Sequence, residues 1–275
     1  AFPFASRRLG VRFAFAMRYR ESLPPRGLAH FVLAYWEFAV SENLPYASTH
    51  YVFPDGCSLL SYCGKSEKTS RSIRVIGPTV RPRVVSIAPG EVWWGVRLQP
   101  AACRAVIGCE PGLLRDTATL CADVNANLNQ ALLHELDGSN SFSAAVLAFG
   151  RVLGTPDRDL LDRKAVAAAH LIERSRGRAK VEAIAAAVEL SERQLQRRFI
   201  RAVGLTAKQF ARLRRLRSAT VALLDTEATD WASLAAESGF TDQSHLTHEL
   251  NALTWHLPSS FDQRVRRIKH GYLHR

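Results

Sequence analysis

The sequence predicts an α+β chain: an antiparallel β barrel or sandwich with accompanying helices, followed by an all-α domain. Three observations carry this. Residues 31–98 are rich in Val, Ile, Tyr, Trp and Phe and are broken at short intervals by Pro and Gly turn signals. From Pro100 onward the apolar residues recur at helical spacing. Charge is divided in the same way: of the net +12, residues 1–20 carry +5, residues 21–170 balance to zero and residues 171–275 carry +7. A neutral middle and a basic C-terminal third point to two domains, the second facing a polyanion.

The first seventeen residues read as a non-native or disordered leader. Met17 is the only methionine, and the apolar stretch after Arg7 and Arg8 is interrupted by Arg12 and closed by Arg18, too short and too charged for an export signal. No apolar run reaches the roughly 18 residues of a membrane span. The five cysteines include no C-x-x-C pair, which fits reduced, buried thiols in the cytoplasm and neither a disulfide framework nor a zinc site.

In chain order, strands are expected at 31–39, 48–53, 57–63, 72–76, 83–88 and 92–98. They are separated by Pro45, Pro54-Asp55-Gly56, Gly64, Gly77-Pro78, Pro82 and Pro89-Gly90. Helices are expected near 125–137 and 142–153. Gly154-Thr155-Pro156-Asp157 then marks a boundary, giving a first domain over 18–155 and a linker over 156–164.

The first domain contains several residue types that invite a chemical reading. Trp36, His50, Tyr51 and Trp93 are candidates for an effector pocket, with core packing as the alternative for each. Trp93 and Trp94 are adjacent in a strand, so only one of them can face a barrel interior. His50 with Asp55 falls short of a metal site because no H-x-H occurs in the chain. Cys57 lacks a neighbouring His or Lys to activate it as a nucleophile.

After the linker, Val181, Ile184, Ala185 and Val188 share one helical face. Ser191 and Gln194 form a capping-box pair that opens a second helix, with Leu195 and Phe199 inward. The outward face of that helix presents Arg193, Gln196 and Arg197, side-chain types that read guanine and adenine edges in the major groove. Fifty residues on, Leu234-Ala235 repeats Ile184-Ala185, and Gly239-Phe240-Thr241 repeats Glu189-Leu190-Ser191. The second copy carries one extra cap residue, since Leu246 lies five after Thr241 and Leu195 four after Ser191. Leu246, Leu250 and Leu253 point inward, and Gln243, Ser244, Thr247 and His248 outward. Thr206 and Gln209 cap a long helix, 207–224, whose expected seam is Leu213, Leu216, Thr220 and Leu224. Two capped helix-turn-helix units inside a basic segment read as a duplex-DNA binder, with phosphate contacts assigned to Arg198, Arg212 and Arg215. His245, His248 and Glu249 mimic a zinc motif but lack a third ligand at suitable spacing.

Residues 165–264 resemble the AraC-type (AraC/XylS family) DNA-binding domain. The matching stretches are Ile184-Ala185, Ser191 with Leu195-Gln196-Arg197-Arg198-Phe199, Gly204-Leu205-Thr206, Arg215, the run from Ala235 to Ser244, and Pro258 with Phe261. The resemblance implies two base-reading helices at Arg193, Gln196, Arg197 and at Gln243, Ser244, Thr247, His248. The chain departs from the family pattern at Glu189, where glycine is usual, and at His248, Glu249, Trp255 and Leu257. The first recognition helix is therefore expected to dominate base readout.

Residues 18–155 resemble a sensor-like domain found upstream of AraC-type regions. Tyr35-Trp36, His50 with Phe53-Pro54-Asp55-Gly56, Gly77-Pro78 and Gly95-Val96-Arg97-Leu98 with Pro100 carry that likeness. It implies a cupin-like barrel. Residues 265–275 complete the chain as a basic tail.

The expectation is a cytoplasmic transcriptional regulator and not an enzyme. Its partners are double-stranded DNA, an unknown small-molecule effector, a second copy in a homodimer, and RNA polymerase if it activates; no cofactor, metal or membrane is expected. Two alternatives stay open: a metal-dependent cupin-type enzyme fused to a DNA-binding module, and a ligand-free dimeric regulator.

Overall fold

The structure is a computed structural model that describes residues 17–43, 46–65, 71–225 and 230–267. The leader, apart from Met17, and residues 268–275 of the basic tail lie outside the described residues.

Among the described residues, eight strands form two antiparallel sheets. They are β1 (Met17–Ser22), β2 (Val32–Val40), β3 (Ser48–Val52), β4 (Leu59–Lys65), β5 (Ile73–Ile76), β6 (Arg83–Ile87), β7 (Val92–Leu98) and β8 (Ala118–Leu120). The larger sheet runs in the order β1-β2-β7-β4-β5-β8, and β3 pairs only with β6. Each of the six strands expected from the sequence is present within two residues. The arrangement is a two-sheet sandwich, not a closed ring. Strands β1 and β8 are additions. The first was hidden by its charge: Arg18 and Arg20 both reach the buried Glu37 on β2, at 3.0 and 2.8 Å.

Alternation along β2 and β7 sorts side chains onto two faces. One face carries Tyr35, Trp94, Val96 and Leu98, all buried, and packs on α3 (Ala126–Leu136) and α4 (Phe142–Leu153). The opposite face turns toward β3 and β6. Short helices α1 (Cys103–Ile107) and α2 (Cys121–Val124) complete the first domain. Asn125 caps α3 by accepting from Leu128 N, and Ser141 caps α4 by accepting from Ala144 N.

The C-terminal part is helical: α5 (Arg163–Arg174), α6 (Val181–Ala187), α7 (Glu192–Val203), α8 (Ala207–Leu224), α9 (Trp231–Glu237), α10 (Gln243–Thr254) and α11 (Pro258–Arg267). The capping boxes at Ser191/Gln194 and Thr206/Gln209 are both complete, each contributing about 1 kcal/mol. The seam of α8 differs from expectation at one position. Thr220 is half-exposed and donates its hydroxyl to Leu216 O at 2.8 Å, while Ala219 and Leu223 are buried.

The two domains share a seam. Gly56, in the Pro54-Asp55-Gly56 turn, sits so close to α8 that an added Cβ would lie 3.0 Å from Leu213 and 3.1 Å from Phe210. Asp55 ties both sides: its carboxylate lies 3.0 Å from Arg97 Nε, and its carbonyl accepts from Arg214 of α8. Phe53 packs on Phe261 with ring centroids 5.3 Å apart.

Glu189, between α6 and α7, has φ +54°, and the equivalent Gly239 has φ +79°. A side chain in this left-handed region costs about 1–2 kcal/mol. Glu189→Gly is expected to stabilise the chain by about 1 kcal/mol net of the added unfolded-state freedom. Urea unfolding checks this, and a lowered midpoint would contradict it.

Candidate nucleic-acid interface

The two helix-turn-helix units are built alike, and the cap of the second explains the extra residue. Its cap is Asp242, not Thr241: the Asp242 carboxylate accepts from His245 N at 2.7 Å. With Ser191 matched to Asp242, the recognition helices align at an offset of 51. Leu195 then matches Leu246, Phe199 matches Leu250, and Gly204 matches Trp255, the two C-caps having φ +82° and +59°.

The same alignment places Arg193 with Ser244, Gln196 with Thr247, and Arg197 with His248. Arg193, Gln196, Arg197, Gln243, Ser244 and His248 are exposed. Thr247 is half-exposed, and its hydroxyl donates to Gln243 O at 2.9 Å. Leu195, Phe199, Leu246 and Leu250 are buried beneath them. Each unit thus offers one polar, outward helix face on an apolar base, the geometry a major groove accepts.

The next position in each helix is tied into the protein, with opposite sign in the two units. Arg198 bonds Asp162, the N-cap of α5, at 2.9 Å. Glu249, 8% exposed, accepts from Arg212 of α8 through both oxygens, at 2.7 and 3.0 Å. Arg215 donates to Gly177 O at 2.7 Å and lies over the Phe240 ring. The three arginines expected to contact phosphates therefore all have intramolecular partners. Arg212 and Arg215 brace α8 against its neighbours. The signal missed was Glu249: a carboxylate on a recognition helix marks an internal partner.

His245, His248 and Glu249 do not converge. His245 Nδ1 faces Thr241 at 3.2 Å, His248 is exposed, and Glu249 is held by Arg212. Among the described residues no group of three or more His, Cys, Asp or Glu side chains is placed to hold a metal ion.

In the first domain, Trp36, Phe38 and Trp93 share the face turned toward β3 and β6. Phe38 pairs across the strands with Trp93, and Trp36 with Gly95. The Trp36 ring lies over Gly95, where a Cβ would be 2.3 Å from it. Its Nε1 is buried with no hydrogen-bond partner among the described residues. His50 packs on Phe38 at 4.9 Å, and burial, with the charge of Arg264, lowers its pKa to about 4. Trp94 points the other way, donating to Glu37 at 3.0 Å, as alternation requires.

Tyr51 is separated from His50 by the same alternation. It follows His50 in the strand and so faces the opposite side, where it meets His256 at 5.1 Å and Arg264 at 4.2 Å. The Cys57 thiol is pushed up to about 12 by burial and by the charge of Asp55, and is inert.

Residues 184–264 match a family model described as a helix-turn-helix domain. The chain carries a helix-turn-helix domain there, in agreement with the AraC-type resemblance of residues 165–264. The matched segment spans both units described above. Residues 20–119 match a domain of unknown function (DUF6597).

Among solved structures, ToxT from Vibrio cholerae is similar at 12% identity. The match covers 90% of this chain and 98% of that one, with a TM-score of 0.46. ToxT from strain O395 bound to (E)-4-(8-methylnaphthalen-1-yl)but-3-enoic acid is similar at 12% identity, covering 90% and 99%, with a TM-score of 0.47. Unsaturated fatty acid bound wild-type ToxT from strain SCE256 matches at 10% identity, covering 90% and 93%, with a TM-score of 0.38. None of the curated proteins compared with the chain matches it significantly. No helix among the described residues is long and apolar enough to cross a membrane.

Proposed function

We propose that the protein is a cytoplasmic transcriptional regulator that reads duplex DNA with α7 and α10, under the control of a small molecule taken up by its first domain. The observation that carries the reading is the pair of units aligned at an offset of 51, each with a buried base and an outward polar face. Two such helices on one rigid frame suit successive major-groove segments, about 34 Å apart on B-DNA.

The units are unequal readers. Arg193, Gln196 and Arg197 supply two guanidiniums and an amide, the groups that engage guanine and adenine bidentately. Gln243, Ser244, Thr247 and His248 supply one amide, two hydroxyls and an imidazole. The first helix supplies most of the base discrimination, the second mainly fixes register.

The face bearing Trp36, Phe38 and Trp93, with the unpartnered Trp36 Nε1, supports a small-molecule site between the sheets. The Asp55 turn links that domain to α8.

The test is binding to a duplex selected by the full-length protein from a random pool. Arg197→Ala is expected to weaken binding about 10- to 100-fold, the value of one bidentate base contact. His248→Ala is expected to weaken it by less than about tenfold. Equal or greater loss at His248 would overturn the ranking, and failure to select any sequence would sink the reading itself.

A further inference from the structure

We propose that the loop of residues 174–180 is a third contact to the DNA, a phosphate grip lying between the two recognition helices. The inference rests on the DNA-binding reading above and deepens it.

The need for such a contact arises inside the domain. A duplex is held mainly through its phosphates, and three arginines in the middle of α8 are engaged within the protein. Arg212 is paired with Glu249, Arg214 with Asp55 O and Glu173, and Arg215 with Gly177 O.

The loop between α5 and α6 concentrates exposed cations. Residues 174–180 contain Arg174, Arg176, Arg178 and Lys180 and no acidic residue. All four are exposed. Among the described residues, Arg174, Arg176 and Lys180 have no carboxylate partner.

Position supports the same occupant. Gly177 lies against the backbone of α8, so close that a Cβ would be 2.1 Å from Ala211 O. Lys180 is the residue that opens α6, the first helix of the first unit. Arg178 covers Gly239, in the turn of the second unit; a Cβ on Gly239 would lie 2.5 Å from its Cγ. That turn leads within four residues to Gln243, at the groove-facing start of α10. The loop is thus fastened to both units and to the helix between them. Its charge complements the backbone that passes from one groove segment to the next.

The loop makes its contribution without sequence preference, because a phosphate carries no base identity. Neutralising it should lower affinity equally for any duplex and reduce the salt dependence of binding.

The test uses the full-length chain with Arg174→Gln, Arg176→Gln and Lys180→Gln combined. Arg178 is kept because it packs on Gly239, and Gln is used at 176 because that residue has φ +53° and is solvent-exposed. Binding is measured against salt on the selected duplex and on a scrambled one. The slope of log K against log salt is expected to fall by about 2 to 3, since each phosphate contact contributes roughly 0.9. The loss should be the same on both duplexes. Arg26→Gln with Arg81→Gln, on the first domain, should leave the slope unchanged.

An unchanged slope, a loss confined to the selected duplex, or an equal fall in the control would overturn the proposal. If the triple variant is unstable, Arg176→Gln and Lys180→Gln are measured singly, each with an expected fall of about 1. Absence of salt-dependent binding by the unaltered protein would instead refute the DNA-binding reading.

Discussion

Gly177→Ala is expected to destabilise the chain by at least about 3 kcal/mol, through two separable costs. The first is conformational: Gly177 has φ +75°, where an L side chain costs about 1–2 kcal/mol. The second is steric. The new Cβ would lie 2.1 Å from Ala211 O and 3.0 Å from Arg215 N, and both are helix backbone that cannot rotate away. Any shift of the loop also disturbs the bond from Arg215 to Gly177 O and the bond from Gly177 N to Ile172 O that closes α5. Gly138 supplies the comparison. Its φ is +80° and the space around it is open, so Gly138→Ala should show only the conformational cost. Urea unfolding of both variants checks the difference. Equal losses would mean that the contact with α8 is unimportant.

Glu249→Ala is the second large effect expected, a loss of about 2–3 kcal/mol. Breaking a fully buried ion pair costs about 3–5 kcal/mol. The figure is reduced here because the Arg212 side chain retains 31% exposure. The variant leaves Arg212 without its bidentate partner and close to the charge of Arg215, which Glu249 had also offset. Arg212→Ala should cost more, since the charge left behind is the more buried one. Replacing both residues by methionine should recover most of the loss, because neither charge is then stranded. A urea midpoint for Glu249→Ala within error of the unaltered protein would count against the pair as a brace of α10.

Much of the fold was legible because its signals are local. The Pro54-Asp55-Gly56 and Pro89-Gly90 turns bound their strands, and the Ser191/Gln194 and Thr206/Gln209 boxes each lie within four residues. What escaped was held by distant partners. The charges of β1 concealed a strand because the residue that neutralises them, Glu37, is on another strand. The internal bonds of Arg212 and Arg215 were not legible because their partners lie 37 and 38 residues away in sequence. Tyr51 and His50 are both pocket candidates by residue type, although strand alternation separates them. The recognition faces were readable from helical periodicity. The place of Asp242 as the second cap needed the backbone, because Thr241 is an equally good capping residue by type.

The seat of the Asp55 turn among Leu205, Phe210 and Leu213 bears on how freely such domains can be exchanged. Helix α8 presents one side to the two DNA-reading units and another to the first domain, so its sequence answers to both. Transplanting a different first domain onto these helices would leave Arg214 facing an empty place where the Asp55 carbonyl had been, and would strip cover from the apolar residues beside it. A workable chimera would have to carry the 53–56 turn with it, or redesign that side of α8 to suit the newcomer. The halves therefore meet through this turn and this helix, as well as through the covalent connection between Leu153 and Arg163.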